Sequence, residues 1–355
     1  MRVLIVDTCY ERFLGSHYTR NPGLEDAPYD HQWRALMDTF FGTADSYSHY
    51  LAELGHAAHE LVVNCDPLQR AWAREHGVRG RFRRPPLDAI ALAQAEAFAP
   101  DVVYVQNLSV FRPQTLRRLG AGRLLVGQIA SELPPQAQLE PFDLITTSFP
   151  HYVRRLGERG IRSEYFRIGF DPRVLARVGD PERTTPVAFV GALGRAQHAR
   201  GNELLERAAH ALPIDFWGTG VEDWPRDSQL RSRYRGEAWG IDMFGVLARS
   251  RIALNRHIDV AEDYANNMRL YEATGMAALL LTDEKRNLDE LFEPDREVVT
   301  YADESELVER ARYFLEHEDE RAAIAAAGRE RTLRDHSYRV RMRELADLLA
   351  RWISP

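Results

Sequence analysis

The sequence predicts an α/β protein built from two doubly wound, parallel-sheet domains. Three observations carry that expectation. Short apolar runs alternate with helix-like stretches, the alternation breaks once at a charged, proline-bearing segment and restarts beyond it, and 355 residues with 45% hydrophobic content suffice for two separate cores.

In the first half the runs are RVLIVD at 2–7, HELVVN at 59–64, DVVYVQ at 101–106, RLLVGQ at 123–128 and DLITTS at 143–148. Runs this short and poor in charge, separated by helical spacers, suit strands covered on both faces. The spacer at 30–54 has apolar residues at roughly helical spacing, with Gly42 as its break. The best linker is GFDPRVLARVGDPERTTP at 169–186, with prolines at 172, 181 and 186. Beyond it come VAFVGA at 187–192, IDFWGTG at 214–220, RIALNRH at 251–257, MAALLLTD at 276–283 and EVVTYAD at 297–303, then three helical segments. The expected domains are 1–170 and 171–337, followed by an amphipathic helix at 338–355 that must pack on something.

A formal charge of -7 and a pI near 6.0 give no basic field of the kind nucleic acid requires, despite the local cluster RGRFRRPP at 79–86. Lys285 is the only lysine among 46 basic residues, a bias that records the base composition of the gene more than a choice at each site. The apolar run after Met1 is too short for a signal-peptide core and no segment reaches membrane-spanning length, so a soluble, cytoplasmic protein is expected. Cys9 and Cys65 each follow an apolar run, form no CxxC pair, and are expected as buried or strand-end thiols without a disulfide or metal.

Open α/β sheets bind ligands at the carboxyl ends of their strands, which restricts the search to strand-end loops. FVGALGRAQHARGNELL, at 189–205, runs from a strand through Gly191 and Gly194 into a helix expected to start near Gly201. Its glycines admit close approach of a ligand, and Arg195, His198 and Arg200 add donors beside a helix N-terminus, an arrangement that suits phosphate. A glycine turn with solvated arginines accounts for the loop equally well. The loop has neither the GxGxxG dinucleotide fingerprint nor the GxxxxGK[ST] phosphate loop. The second piece is YANNMRLYEATG at 264–275, where a helix starting near Asn266 or Asn267 and stopping at Gly275 puts Arg269 and Glu272 on one face. Donors at the end and an acceptor deeper in suit a nucleoside diphosphate, with Asn267 and Arg269 on the diphosphate and Glu272 on a hydroxyl pair. An asparagine cap followed by a local Arg/Glu pair is the competing account.

Residues 266–338, from NNMRLYEATG to DHSY, resemble the C-terminal domain of the CgeB-like (spore-maturation-type) glycosyltransferases, bacterial relatives of the group-1 enzymes with the GT-B fold. The resemblance rests on Asn267, Arg269, Tyr271, Glu272 and Gly275, on the LFEP..E segment and on AAAGRER...DHSY; Arg200-Gly201 falls where the wider group has a Lys-Gly on phosphate. A looser resemblance runs through FLGSHYTRNPGL, SYSHYLAELGHAAHELVVN and DVVYVQN in the first half. It implies a GT-B enzyme with two Rossmann-like domains facing a cleft, an acceptor-binding first domain, a nucleotide-sugar-binding second domain and a last helix returning to the first. The donor would be a nucleotide sugar and the acceptor a glycan, natural product, lipid-linked saccharide or protein, with no cofactor beyond the donor. Gly218 of WGTG and His257 after RIALN join the nucleotide side, and Asp7, His17 and Glu132 are candidate bases, although a turn or cap role accounts for each. No D-x-D occurs, so leaving-group stabilisation by arginines and helix N-termini is expected in place of a metal. The competing readings are a nucleotide-sugar epimerase of the same architecture and a non-catalytic nucleotide-sugar or glycan-binding protein.

Overall fold

The computed structural model describes residues 1–79 and 85–353, with the side chains of residues 196–198 outside the description. Most of the basic RGRFRRPP cluster therefore lies outside the described residues. The chain divides into two compact units, Met1–Arg167 together with the chain from Arg341 onward, and Ile168–Val340.

The first unit holds a six-stranded sheet of β1 (Arg2–Asp7), β2 (Ala57–Val62), β3 (Val102–Val105), β4 (Leu124–Ile129), β5 (Leu144–Thr147) and β6 (Ser163–Tyr165). Their order is β2-β1-β3-β4-β5-β6 and every pairing is parallel. Burial explains why the apolar runs marked them: Val3 to Val6, Val102 to Val105 and Leu144 to Thr147 are buried along their length. The spacer at 30–54 resolves into helices Tyr29–Met37 and Ser46–Glu53, with Gly42 at a positive φ of 63° between them. Both cysteines are free thiols, Cys65 buried and Cys9 half-buried.

The second unit holds a five-stranded sheet of β7 (Thr185–Val190), β8 (Ile214–Trp217), β9 (Ser250–Leu254), β10 (Leu279–Asp283) and β11 (Val299–Tyr301), in the order β11-β10-β9-β7-β8, again all parallel. Phe189, Ile214, Phe216, Leu254 and Leu281 are among its core. The expected linker is more ordered than its composition implies: it contains the helix Arg173–Val178, and Phe170 just before it pairs with Ser337. The tail forms the helices Glu304–Glu316, Glu318–Asp335 and Tyr338–Ile353. From Arg341 the last helix counts with the first unit, where Glu344 lies 3.5 Å from Arg167 and the Arg162 guanidinium sits 5.8 Å from the centre of the Trp352 ring. Among the described residues no helix is long and apolar enough to cross a membrane.

One carboxyl sits deep in the first unit. Glu60 on β2 is 1% exposed; it accepts hydrogen bonds from the Ser48 amide at 2.7 Å and from the Ser48 hydroxyl, yet burial outweighs both and pushes its carboxyl up to about 8. A carboxyl raised in the folded state makes stability fall as pH rises from its unfolded value through the folded one. Glu60→Gln removes that loss. Urea unfolding is expected to show the variant gaining on the parent between pH 5.5 and pH 8 by an amount on the order of a few kcal/mol, and a gap that stays constant with pH refutes a buried, proton-binding Glu60.

Candidate functional site

In both sheets the strand order reverses beside the first strand of the unit, between β1 and β3 and between β7 and β9. Loops leaving neighbouring strands there run to opposite faces and open a crevice at the carboxyl ends. The polar residues described next cluster at those two places.

In the second unit, Arg256 follows β9 and reaches back across the switch point. Its Nη2 donates to the Ala192 carbonyl at 3.0 Å and to Asn202 Oδ1 at 2.6 Å, and its Nε to the same oxygen at 3.1 Å. Helix Arg195–Ala208 begins at Arg195, with Gly194 as its cap residue, and not near Gly201 as the sequence led one to expect. Gly201 lies inside the helix because a Cβ there would come within 2.4 Å of Arg256 Cδ. The glycine read as a boundary is the space that Arg256 occupies. Arg200 is exposed in the second turn; Arg195 is exposed too, its amide on Asp223 at 3.0 Å and its guanidinium 3.4 Å from Glu203. The side chain of His198 lies outside the described residues. Gly218, at φ 142°, presses on the other strand-end loop so closely that a Cβ would fall 1.8 Å from the Gly191 carbonyl oxygen, and the Gly191 amide donates to Trp217 O at 3.0 Å. These two glycines hold two backbones together.

The helix at the opening of the second motif is Met268–Gly275. Asn267 is its cap: Oδ1 accepts from the Leu270 amide at 3.2 Å, while Nδ2 donates to Asn255 Oδ1 at 2.9 Å and to Arg256 O at 3.2 Å. All of that amide is spent inside the protein. Arg269 and Glu272 pair at 2.9 Å, but not on the surface: Glu272 is 5% exposed, and burial raises its carboxyl against the pull of Arg269. Arg269 Nη1 also contacts Met243 Sδ at 3.0 Å, and its Nε is buried with no partner.

His257, also buried, donates its amide to Asp283 Oδ1 at 3.0 Å and places Nδ1 2.7 Å from the same oxygen. Burial alone would raise the Asp283 carboxyl, but the hydrogen bond and charge of His257 and the charge of Lys285, 3.2 Å away, hold it below the ordinary carboxylate range. His257 Nε2 is left without a partner, as is Asn266 Nδ2. The second unit therefore has three polar atoms without a protein partner, on His257 and Asn266 in the segment after β9 and on Arg269 in the first turn of helix Met268–Gly275. Buried polar groups are nearly always bonded, so such a group of exceptions makes this a candidate site for a polar ligand.

In the first unit, Asp7, Thr8, Gln106, Asn107, Gln128 and Glu132 line a cavity of about 280 Å³ at the carboxyl ends of β1, β3 and β4. Burial raises the Asp7 carboxyl to about 6, against the Thr8 amide that bonds it at 2.7 Å. The two glutamines have their carbonyl oxygens occupied, Gln106 by Thr43 at 3.1 Å and Gln128 by Tyr47 and Tyr104 at 3.0 Å each. Gln106 Nε2 is buried and unpartnered. Of the three expected bases, Asp7 and Glu132 share this cavity; His17, buried in helix Glu11–Arg20 with burial lowering its pKa, is not among the lining residues. Among the described residues no cluster of three or more His, Cys, Asp or Glu is arranged to hold a metal ion.

Residues 195–347 match the family model described as Glycosyl transferase-like. No curated protein matches the chain. Among solved structures it is similar to HepE of Anabaena in complex with UDP-glucose (13% identity, 99% of each chain covered, TM-score 0.63). It is also similar to sucrose-phosphate synthase of Thermosynechococcus elongatus (11% identity, 100% of this chain and 99% of the other, TM-score 0.60). A third is AviGT4, a glycosyltransferase involved in avilamycin A biosynthesis (15% identity, 100% and 98%, TM-score 0.59). The fold, two parallel-sheet α/β units with a helical C-terminal tail, is that of the GT-B glycosyltransferases.

Asn267→Asp separates capping from bridging. The carboxylate still accepts from Leu270, but it loses two donors and turns an oxygen toward Asn255 Oδ1 and Arg256 O. The expected loss of stability is on the order of 2 kcal/mol at neutral pH, shrinking as acid restores a donor. An unchanged urea midpoint at pH 7 contradicts the bridge.

Proposed function

We propose that the protein is a glycosyltransferase that moves a sugar from a nucleoside-diphosphate sugar to an acceptor hydroxyl, with the donor held by the second unit and the acceptor by the first. The observation that carries this reading is the trio of unpartnered atoms on His257, Asn266 and Arg269, which falls inside the span matched by the Glycosyl transferase-like model. A nucleoside-diphosphate sugar supplies phosphate oxygens for the Asn266 and Arg269 donors and a hydroxyl for the His257 Nε2 acceptor.

The donor site is assigned as follows. Arg269, through Nε, and the N-terminus of helix Met268–Gly275 meet the diphosphate, with Arg195 and Arg200 supplying further positive charge from helix Arg195–Ala208. His198 belongs to the same segment. Gly191 and Gly218 keep the loop backbones close enough to border the nucleotide, and Asn267 positions the helix rather than touching the ligand. Glu272 has Oε2 on Arg269 and offers its other oxygen to a ribose or sugar hydroxyl. His257, with its Nδ1–H donated to Asp283, presents Nε2 to accept a hydrogen bond from a sugar or ribose hydroxyl.

The acceptor site is the cavity at Asp7. Two amides with committed carbonyls and two carboxylates make a lining of donors and acceptors that suits a polyhydroxylated molecule. In the proposed step, Asp7 takes the proton of the acceptor hydroxyl while its oxygen attacks the anomeric carbon. The bond from that carbon to the diphosphate oxygen breaks, and the departing charge is stabilised by Arg269 and the helix N-terminus. Glu132 is the second candidate for the base. The chain's own cations do the work that a D-x-D-bound metal does elsewhere, and the protein works in the cytoplasm on a soluble donor.

UDP-glucose, UDP and GDP-sugars are the probes. Calorimetry is expected to show micromolar to millimolar binding of one nucleotide and its sugar, weakened about tenfold or more by Arg269→Lys, which keeps the charge but loses Nε. No binding of any nucleotide sinks the proposal. Asp7→Asn is expected to cut turnover by about 10² to 10⁴ with donor affinity unchanged. Because the base acts ionised, the parent's rate falls as pH drops below about 6; a rate flat through that range removes Asp7 from the role. Full activity in the presence of a chelator is the expected result for metal independence.

A further inference from the structure

At the amino ends of β7, β9 and β10, opposite the strand ends described above, the second unit has another cavity, of about 490 Å³. Arg183, Arg251, Arg321 and Arg329 line it with Glu318, Glu330 and several alanines of helix Glu318–Asp335. A strand of five residues is about 17 Å long, so one small ligand does not span both ends. The volume lies within the range of small-molecule sites.

The four arginines are unequally committed. Arg183 donates to the carbonyls of Ala248 at 3.1 Å, Ser250 at 2.7 Å and Met276 at 3.1 Å, and so ties down the ends of helices Ile241–Ala248 and Met268–Gly275. Arg321, 3% exposed, donates to Phe314 O at 2.7 Å and lies 3.2 Å from Glu318. Carbonyl oxygens satisfy these donors without neutralising their charge. Burial disfavours the Arg183 cation, and the charges of Arg321 and Arg329 disfavour it further against the opposing pull of Asp180. The two carboxylates do little to offset this: Glu318 is largely exposed, and Glu330, also exposed, is 3.9 Å from Arg334. Arg251 uses only Nε, on the Arg183 carbonyl at 3.2 Å, and Arg329 has no hydrogen-bonded or ion-paired partner among the described residues.

We propose that this cavity is a second binding site, for a small molecule carrying a phosphate group, with Arg251 and Arg329 as the free donors and Arg183 and Arg321 as the fixed positive field. Guanidinium forks match phosphate oxygens in pairs, and a dianion offsets an excess of like charge that the protein itself leaves unbalanced. The alanines of helix Glu318–Asp335 leave room beyond the phosphate for an attached group.

The test is calorimetry on the full chain with inorganic phosphate and with glucose 6-phosphate, at constant ionic strength in a phosphate-free buffer. Saturable binding of at least one is expected in the parent and in Arg269→Lys, and about tenfold or weaker binding in Arg329→Glu and Arg251→Glu. Glucose 6-phosphate binding more tightly than phosphate identifies a phosphorylated organic ligand; equal affinity identifies the phosphate group alone. Absence of binding in the parent, parent-like affinity in both charge-reversed variants, or loss in Arg269→Lys overturns the site. Arg251 and Arg329 are half-buried rather than core residues, and circular dichroism shows which variant is folded and decides the comparison. The outcome is independent of whether any nucleotide sugar binds.

Discussion

The second unit depends on one polar side chain, Asn255, at the carboxyl end of β9. Its amide nitrogen donates to Thr282 on β10 at 2.9 Å, its side-chain oxygen accepts from Asn267 at 2.9 Å, and its backbone carbonyl accepts from Tyr301 on β11 at 2.9 Å. Three strand ends and one helix N-terminus are thus locked by a residue that is 3% exposed. In a buried setting an amide left unpaired costs more than the net worth of any one bond, so Asn255 and its three partners hold one another in a single arrangement. That lock fixes where helix Met268–Gly275 starts and therefore where Arg269 lies.

Much of this was legible in the sequence, for a local reason. Strands buried on both faces must be short apolar runs, and ten of the eleven strands among the described residues announce themselves that way. The exception, β6, is Ser-Glu-Tyr at a sheet edge, half-buried or exposed, and nothing in three such residues marks a strand. The start of helix Met268–Gly275 was legible because an asparagine cap is a local device. The start of helix Arg195–Ala208 was misplaced because Gly201 is small for a nonlocal reason, the side chain of Arg256. Asn255, Arg256 and Asp283 escaped notice as site residues altogether. Each stands at the end of an apolar run, and its importance follows from β9 lying between β7 and β10, an order that no short segment encodes.

The same contrast separates the candidate bases. Asp7 and Glu132 are far apart in sequence, and the parallel order β1-β3-β4 brings the ends of their strands to one cavity. His17 is nearer to Asp7 along the chain, yet it faces the apolar and aromatic neighbours of its own helix, stacked with Phe13 at 6.1 Å and edge-on to Tyr18 at 5.3 Å. His17 stands apart from that cavity because a helix that follows a strand carries its residues away from the strand end within a turn.

Lys285 sharpens the electrostatic reading. In a chain whose other basic residues are all arginine, the single lysine stands 3.2 Å from Asp283 and donates to the Glu262 carbonyl at 2.8 Å. An ammonium is a compact charge that fits between a carboxylate and a carbonyl, whereas a guanidinium spreads its charge over a planar fork. Asp283 must serve two partners, His257 through Oδ1 and Lys285 through Oδ2. A fork drawn to both oxygens would compete with the imidazole for Oδ1. With the point charge in place, Oδ1 stays with His257, and the imidazole is held with Nε2 as its remaining polar atom. The compositional bias toward arginine, which by itself said nothing about chemistry, thereby makes its one exception informative.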